Sequence, residues 1–180
     1  MKKKRFVARY SLLVLLMFLF VSCKKDKADE NSQFKNKNQE WIAGNWKQKD
    51  LVISVDVKIA GQKIPAGTSM ITLAPLIGQA LGSPEIAAAI LCTADNIYSF
   101  NANGTFSING CTDLILPVAG NSGKWGLTTY DAVLELISSK DEKDPHWINS
   151  ISSNTLNLAL TVDFPGLGAA PLGLILEKQP

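Results

Sequence analysis

Apolar residues recur at every second position through much of this chain, and a period of two is the spacing of a β-strand with one face buried and the other wet. From Trp46 onward, Leu51, Ile53, Val55, Val57 and Ile59 alternate with Val52, Ser54, Asp56 and Lys58. Leu156, Leu158, Leu160 and Val162 alternate with Asn157, Ala159 and Thr161, and Leu172, Leu174 and Leu176 repeat the pattern near the C-terminus. Further strands are predicted at Lys124 to Thr129, at Ala132 to Ser138 after Tyr130-Asp131, and at His146 to Ile151 before Ser152-Ser153-Asn154. About eight short strands joined mostly as hairpins make an antiparallel barrel or a sandwich.

The segment Tyr98 to Ile108 contains Asn103-Gly104, usually the mark of a two-residue turn. That register sets Phe100 against Ser107. A three-residue loop, Ala102 to Gly104, with the glycine at positive φ instead pairs Phe100 with Phe106 and Tyr98 with Ile108, placing aromatics on one face; this is the expected register. Cys92 and Cys111 flank the open end of the hairpin. An even pair of cysteines in an exported domain reads first as a disulfide, whereas a zinc site needs further ligands and the chain has a single histidine, His146.

Export is the reading of the N-terminus. Lys2, Lys3, Lys4, Arg5 and Arg9 form a basic leader, Ser11 to Val21 an apolar run, and Ser22 precedes Cys23. The run is shorter than a bilayer requires. Phe20-Val21-Ser22-Cys23 resembles the lipobox of bacterial lipoprotein signals, with Phe20 where Leu is usual, and this implies acylation of Cys23. The alternatives are a plain secretory signal with Cys23 a free thiol, or an uncleaved anchor. The expected organisation is a signal peptide over 1–22, an acylated Cys23 with a disordered tether over 23–40, and a barrel domain over 41–180. Residues 24 to 40 are almost wholly polar apart from Phe34, too poor in apolar area to offset ordering entropy, and as a random coil they reach roughly 20 to 25 Å.

Cleavage changes the sign of the charge. Five of the 18 basic residues lie in the leader, leaving 13 against 16 acidic ones, a net of −3. Both arginines, Arg5 and Arg9, go with it, so the expected mature chain lacks the side chain best suited to phosphate or guanine. No nucleic-acid partner is expected.

Ile64 to Ala94 breaks the strand pattern, with one charged residue, Glu85, and frequent Pro and Gly. Ser83-Pro84-Glu85 has the form of a helix start, predicting a helix over Ile86 to Leu91 and another over Leu73 to Leu81. This helical insertion spans about 64–91. It is expected either to pack over the barrel mouth or to expose an apolar patch.

No catalytic constellation is visible. His146, with Ser150 and Ser152 nearby in sequence, does not make a triad, which needs groups converging through space, and it reads as an exposed structural histidine. Gly120-Asn121-Ser122-Gly123 lacks the spacing of a nucleophile elbow, and Gly166-x-Gly168 lacks a third glycine. Asp141-Glu142-Lys143-Asp144 fits no calcium loop and reads as a solvated turn. No cofactor and no metal are expected, and the chain is read as a non-enzyme. Trp46 and Trp125 are read as core residues.

These residues resemble the lipocalin-like domain lipoproteins of Bacteroidota, a calycin-like β-barrel group, over roughly residues 41 to 178. Gly44-Asn45-Trp46 looks like the Gly-x-Trp signature of lipocalins, whose tryptophan plugs the closed barrel end. Cys92 through Asp95-Asn96, Tyr98, Phe100, Asn103-Gly104 and Phe106 to Cys111 looks like the cysteine-bracketed hairpin of the group. Gly123-Lys124-Trp125 and Ser153-Asn154-Thr155-Leu156 fit its later strands. The Lys and acidic residues after Cys23 also resemble its surface-export signal. The resemblance implies an all-β, antiparallel up-and-down lipocalin-like barrel of about eight strands with a short helical insertion. It implies an outer-membrane lipoprotein, on the periplasmic face or the cell surface, anchored in membrane lipid through Cys23. A small apolar ligand is the implied partner if the barrel is hollow. An outer-membrane protein partner is the alternative if side chains fill it. Ligand-binding residues are not assignable from the sequence.

Two or three acyl chains hold a protein stably, since burial contributes about 0.8 kcal/mol per CH₂. Cys23→Ala is therefore expected to move the chain from the membrane fraction to the soluble fraction on cell fractionation.

Overall fold

Strand β1 (Gly44–Ile53) is the staple of the architecture because it pairs on both sides. The computed structural model describes residues 36–164 and 168–180. A short helix α1 (Lys37–Ile42) leads into β1, and a small hairpin follows, β2 (Val57–Ile59) with β3 (Gln62–Ile64). Helices α2 (Met70–Leu81) and α3 (Pro84–Cys92) come next, then a single 3₁₀ turn over Thr93–Asp95. A meander completes the chain: β4 (Ile97–Phe100), β5 (Thr105–Asn109), β6 (Ser122–Thr128), β7 (Val133–Ser138), β8 (Lys143–Ile151), β9 (Thr155–Phe164) and β10 (Gly168–Lys178). Neighbouring strands of the meander pair antiparallel, and β10 returns to β1, so eight strands close in the order β1-β10-β9-β8-β7-β6-β5-β4. This is an antiparallel up-and-down barrel with a helical insertion; the alternation pointed to a barrel or a sandwich, and the resemblance to the barrel.

The register divides the barrel into two ends. Trp46 faces Lys178 and Gly44 faces Phe100 at one end, while Ile53 faces Leu172 and Phe164 faces Gly168 at the other. The expected β4–β5 register is observed, with Phe100 opposite Phe106 and Tyr98 opposite Ile108. Gly104 sits at φ +81° and its carbonyl accepts from Trp125 N at 2.8 Å, tying the hairpin to β6. A side chain rarely adopts that φ, which is why glycine stands there. Phe100 and Trp125 meet edge to face, 5.7 Å between centroids.

Side chains from the inward face of each strand fill the interior. Trp46, Leu51, Tyr98, Phe100, Leu134, Leu136, Leu156, Leu172, Leu174 and Leu176 are all at most 1–2 % exposed. The barrel is thus largely a packed core, not a hollow cup.

The sequence pattern differs from the structure at three places outside the barrel wall. The alternation over Leu51 to Ile59 predicts one strand, but β1 stops at Ile53 and Val55 is 48 % exposed. Asp56 ends the run: its Oδ1 accepts from Ala66 N at 3.0 Å and its Oδ2 pairs with Lys63 at 2.6 Å, folding the chain into the β2–β3 hairpin. Both contacts hold its carboxyl below the usual carboxylate range, Lys63 more than Ala66. Residues 36–40, expected within the tether, instead start α1, with Asn36 Oδ1 capping Gln39 N at 2.8 Å. Residues 23–35 lie outside the described residues. Helix α3 begins at Pro84 after Ser83, but the Ser83 hydroxyl donates to Glu85 at 2.9 Å and caps no backbone N–H. Among the described residues no helix is long and apolar enough to cross a membrane.

Cys92 and Cys111 are bonded, linking the end of α3 to the chain just after β5, across a sequence separation of 19. The Asn96 carboxamide reinforces the junction, accepting from Cys111 N at 2.7 Å and donating to Cys111 O at 2.9 Å.

Two stability predictions follow from this packing. Trp46→Ala removes a fully buried indole and is expected to lower the unfolding free energy by about 3 to 5 kcal/mol, and Trp46→Phe by less, in urea denaturation. A Cys92→Ser, Cys111→Ser double variant is expected to lose about 3 kcal/mol in the same assay, the value for a loop of this length.

Candidate functional site

Helix α2 covers the Ile53–Phe164 end of the barrel, and a short chain of polar contacts positions it. The register of β1 shifts between Gln48 and Asp50, a bulge that moves the buried positions from Trp46 and Gln48 to Leu51 and Ile53. At the bulge Asp50 Oδ1 accepts from Leu51 N at 2.8 Å and from the Ser69 hydroxyl at 2.7 Å. Ser69 is in turn the N-cap of α2, its Oγ accepting from Thr72 N at 3.4 Å. Backbone bonds from Ile53 N to Thr68 O (3.0 Å) and from Gly67 N to Ile53 O (2.7 Å) fasten the approach to α2 along β1. Met70, Ala74 and Ile77 then turn inward and are buried.

Between α2, the β2–β3 hairpin and the strand ends lies a hollow of about 100 Å³. Its wall includes Ile53, Met70, Ile77, Phe164, Ala170 and Leu172, and among the described residues Lys58 is the one charged side chain in the lining. The geometry suits an apolar body with its polar end toward Lys58.

The opposite end is corked. Trp46 is fully buried and its Nε1 donates to Ile42 O of α1 at 2.7 Å. Lys178 Nζ donates to Trp41 O at 2.8 Å and lies 5.1 Å from the Trp46 ring centroid. Burial holds its ammonium below the usual lysine range, against the pull of Glu40. Gly44 has φ +131°, and a Cβ there would stand 2.8 Å from Lys178 Cε, so both backbone and neighbour favour glycine.

The structure therefore does not gather the residues singled out from sequence into one site. Gly44 and Trp46 are at the corked end, and the Cys92–Cys111 bridge is at the junction of α3 and β5. Cys23 lies outside the described residues. The lining of the hollow carried no motif in sequence, only apolar residues at strand ends and on one face of α2.

Two polar groups inside the barrel were also missed. Gln48, 2 % exposed, accepts from the Tyr98 hydroxyl at 3.1 Å and donates to Thr93 Oγ1 at 3.0 Å, and Thr93 donates to Ile90 O at 2.8 Å. Burial pushes the Tyr98 hydroxyl above the usual tyrosine range, so the phenol stays neutral. The expectation of an exposed His146 is corrected: it is 5 % exposed, and its Nε2 lies 3.2 Å from Asp144 Oδ1. On β8 the polar residues Asp144 and His146 are the sheltered ones and Pro145 and Trp147 are exposed, the reverse of the alternation elsewhere. Among the described residues no three His, Cys, Asp or Glu side chains cluster as a metal site.

No protein-family model matches the chain, and no curated protein matches it. A similar solved structure is lobster apocrustacyanin A1, 15 % identical, with a TM-score of 0.33. The match covers 80 % of this chain but spans only 63 % of the length of that one.

Proposed function

We propose that this chain is a membrane-tethered, lipocalin-like binding protein that holds one small apolar molecule at the mouth of its barrel, under α2, and catalyses no reaction. The observation that carries the reading is the hollow of about 100 Å³ between apolar strand ends and a helix laid across them. Pockets for small organic ligands usually enclose about 300 to 1,000 Å³, so occupancy requires α2 to shift outward. The packed interior confines the ligand to the mouth, and Lys58 at the rim favours an acidic end group. Acylation at Cys23 and the polar segment after it keep the domain at the outer membrane, on the periplasmic face or the cell surface. Such a ligand would come from the neighbouring lipid phase.

A second reading has one observation in its favour. The fully buried Trp46, Tyr98, Phe100 and Leu134 leave little room in the barrel, as in an interaction module serving an outer-membrane assembly.

The two readings separate in one titration. N-phenyl-1-naphthylamine is expected to bind the purified full-length chain with 1:1 stoichiometry and to be displaced by dodecanoate. Ala170→Trp, which fills the mouth, is expected to abolish that binding. Absence of binding, together with co-purification of a stable protein partner, would overturn the first reading in favour of the second.

A further inference from the structure

Tyr130 is held out from the barrel on a strained backbone. It sits in the β6–β7 turn between Thr129 and Asp131, and the three have φ of +53°, +55° and +65°, the left-handed region three times in succession with no glycine among them. Each position carries strain that glycine or asparagine would lessen. The Tyr130 ring is fully exposed, so packing of the ring does not offset that strain. Backbone strain of this kind concentrates in segments that bind or switch.

The turn adjoins an apolar outer face. Ile148 N donates to Ala132 O at 2.8 Å and Trp147 stands opposite Val133, which sets the Trp147 ring, 57 % exposed, beside the turn. Strand β8 pairs with β9 only from Ile148 to Ile151, so residues 143–147 are held by β7 alone, and part of the β5–β6 connection lies against this gap. From that connection Val118, 41 % exposed, lies on the same side of the barrel as Trp147. The β6–β7 turn is at the corked end, with the β4–β5 hairpin, and the β5–β6 connection is at the mouth end. Tyr130, Trp147 and Val118 therefore run along one side of the barrel from the cork toward the mouth.

The chain enters the domain on that same side. Helix α1 spans the corked end from β8, against which it packs, to β1, into which it leads, and Asn36 is its N-cap. Residues 24–35 separate Asn36 from Cys23. A chain of about a dozen residues reaches about 20 Å as a coil and at most about 45 Å when fully extended. An anchor at Cys23 thus brings the β8 side of the barrel nearest to the lipid.

We infer that Tyr130, Trp147 and Val118 form a docking surface for a bilayer of zwitterionic phospholipid, an inference that rests on the anchoring through Cys23 proposed above. Tyrosine and tryptophan suit the headgroup layer because each has an apolar body and a polar tip. Asp131, next to Tyr130, disfavours an anionic surface, and Glu135 and Lys143 on the same side neutralise each other at 3.0 Å. Docked in this way, the barrel lies along the sheet with its mouth beside the lipid, where a ligand leaving the sheet meets it.

The test places the acylated mature chain in vesicles of phosphatidylethanolamine and of phosphatidylcholine brominated near the headgroup end of one acyl chain. Flotation reads the anchoring, and quenching of tryptophan fluorescence reads the docking. The wild-type emission is expected to be quenched, and Trp147→Phe is expected to lose most of that quenching. Tyr130→Asn is expected to raise the midpoint of urea unfolding, since asparagine tolerates the left-handed region, and yet to lower the quenching, which a purely structural role of Tyr130 would not do. Val118→Asp, a change in an exposed loop residue, is expected to lower the quenching as well. The inference is overturned if the floated wild type is not quenched, if Trp147→Phe is quenched as fully as the wild type, or if Tyr130→Asn and Val118→Asp leave the quenching unchanged; in each of these cases the anchoring stands. It is also overturned if a photo-crosslinker at position 130 captures one protein of the outer membrane instead of lipid. A chain that does not float with the vesicles removes the anchoring, and the docking falls with it.

Discussion

Closure of the wall between β1 and β10 is the constraint on which the rest of the structure depends. Once Trp46 stands opposite Lys178 and Ile53 opposite Leu172, the alternating side chains of eight strands share one interior. A slip of one residue would turn a whole strand's apolar set outward, so the packed core and the register enforce each other. Closure also leaves the barrel without free edges along most of its circumference, which protects it from strand addition by other chains. The upper seam between β8 and β9 is where that protection lapses.

The two ends of the barrel are built by different means. At the corked end, α1 lies below Trp46 and accepts its indole N–H, and Lys178 crosses from β10 to bond the α1 carbonyl at Trp41. Those contacts join the first and last strands through buried or half-buried groups, so opening that end would break several at once. The α2 end is held mainly by apolar contact and by the exposed or half-buried bonds of Asp50, Ser69 and Thr68. Contacts of that kind oppose displacement less than buried polar bonds do. Motion at the barrel is therefore cheapest where the hollow lies, and the corked end serves as the fixed base.

Much of the wall was legible in the sequence because alternation reports burial on a two-faced strand directly. It succeeded for β9 and β10, whose inward residues are nearly all leucine, and for the β4–β5 hairpin, where the register that sets Phe100 opposite Phe106 is observed in place of the shorter turn usual for Asn-Gly. It failed where one local polar contact overrode the pattern, as at Asp56, whose bonds to Lys63 and Ala66 end the strand before Val57. The site was far less legible. Sites at strand ends draw residues from segments distant in sequence, such as Ile53, Ile77 and Phe164, and ordinary apolar residues carry no spacing that links them. His146 was misread for a sharper reason: alternation assumes that the sheltered face is the apolar one, and β8 inverts it.

That inversion has a physical source in the seam. Where a strand pairs on both sides, its inner residues meet the leucine-lined core, and a polar side chain there must find an internal partner. Gln48 meets this condition through Tyr98 and Thr93, and the polar island it forms is satisfied throughout, as expected of a group whose role is to fix structure. His146 and Asp144 stand opposite Leu134 and Leu136 of β7, but beside a gap in the wall and against the β5–β6 connection. Trp147 and Pro145 are left on the outer side as the apolar lip. The unpaired strands and the inverted alternation thus fall on the same stretch of β8. The gap between β8 and β9 turns that stretch of the barrel from a packed wall into a lined opening.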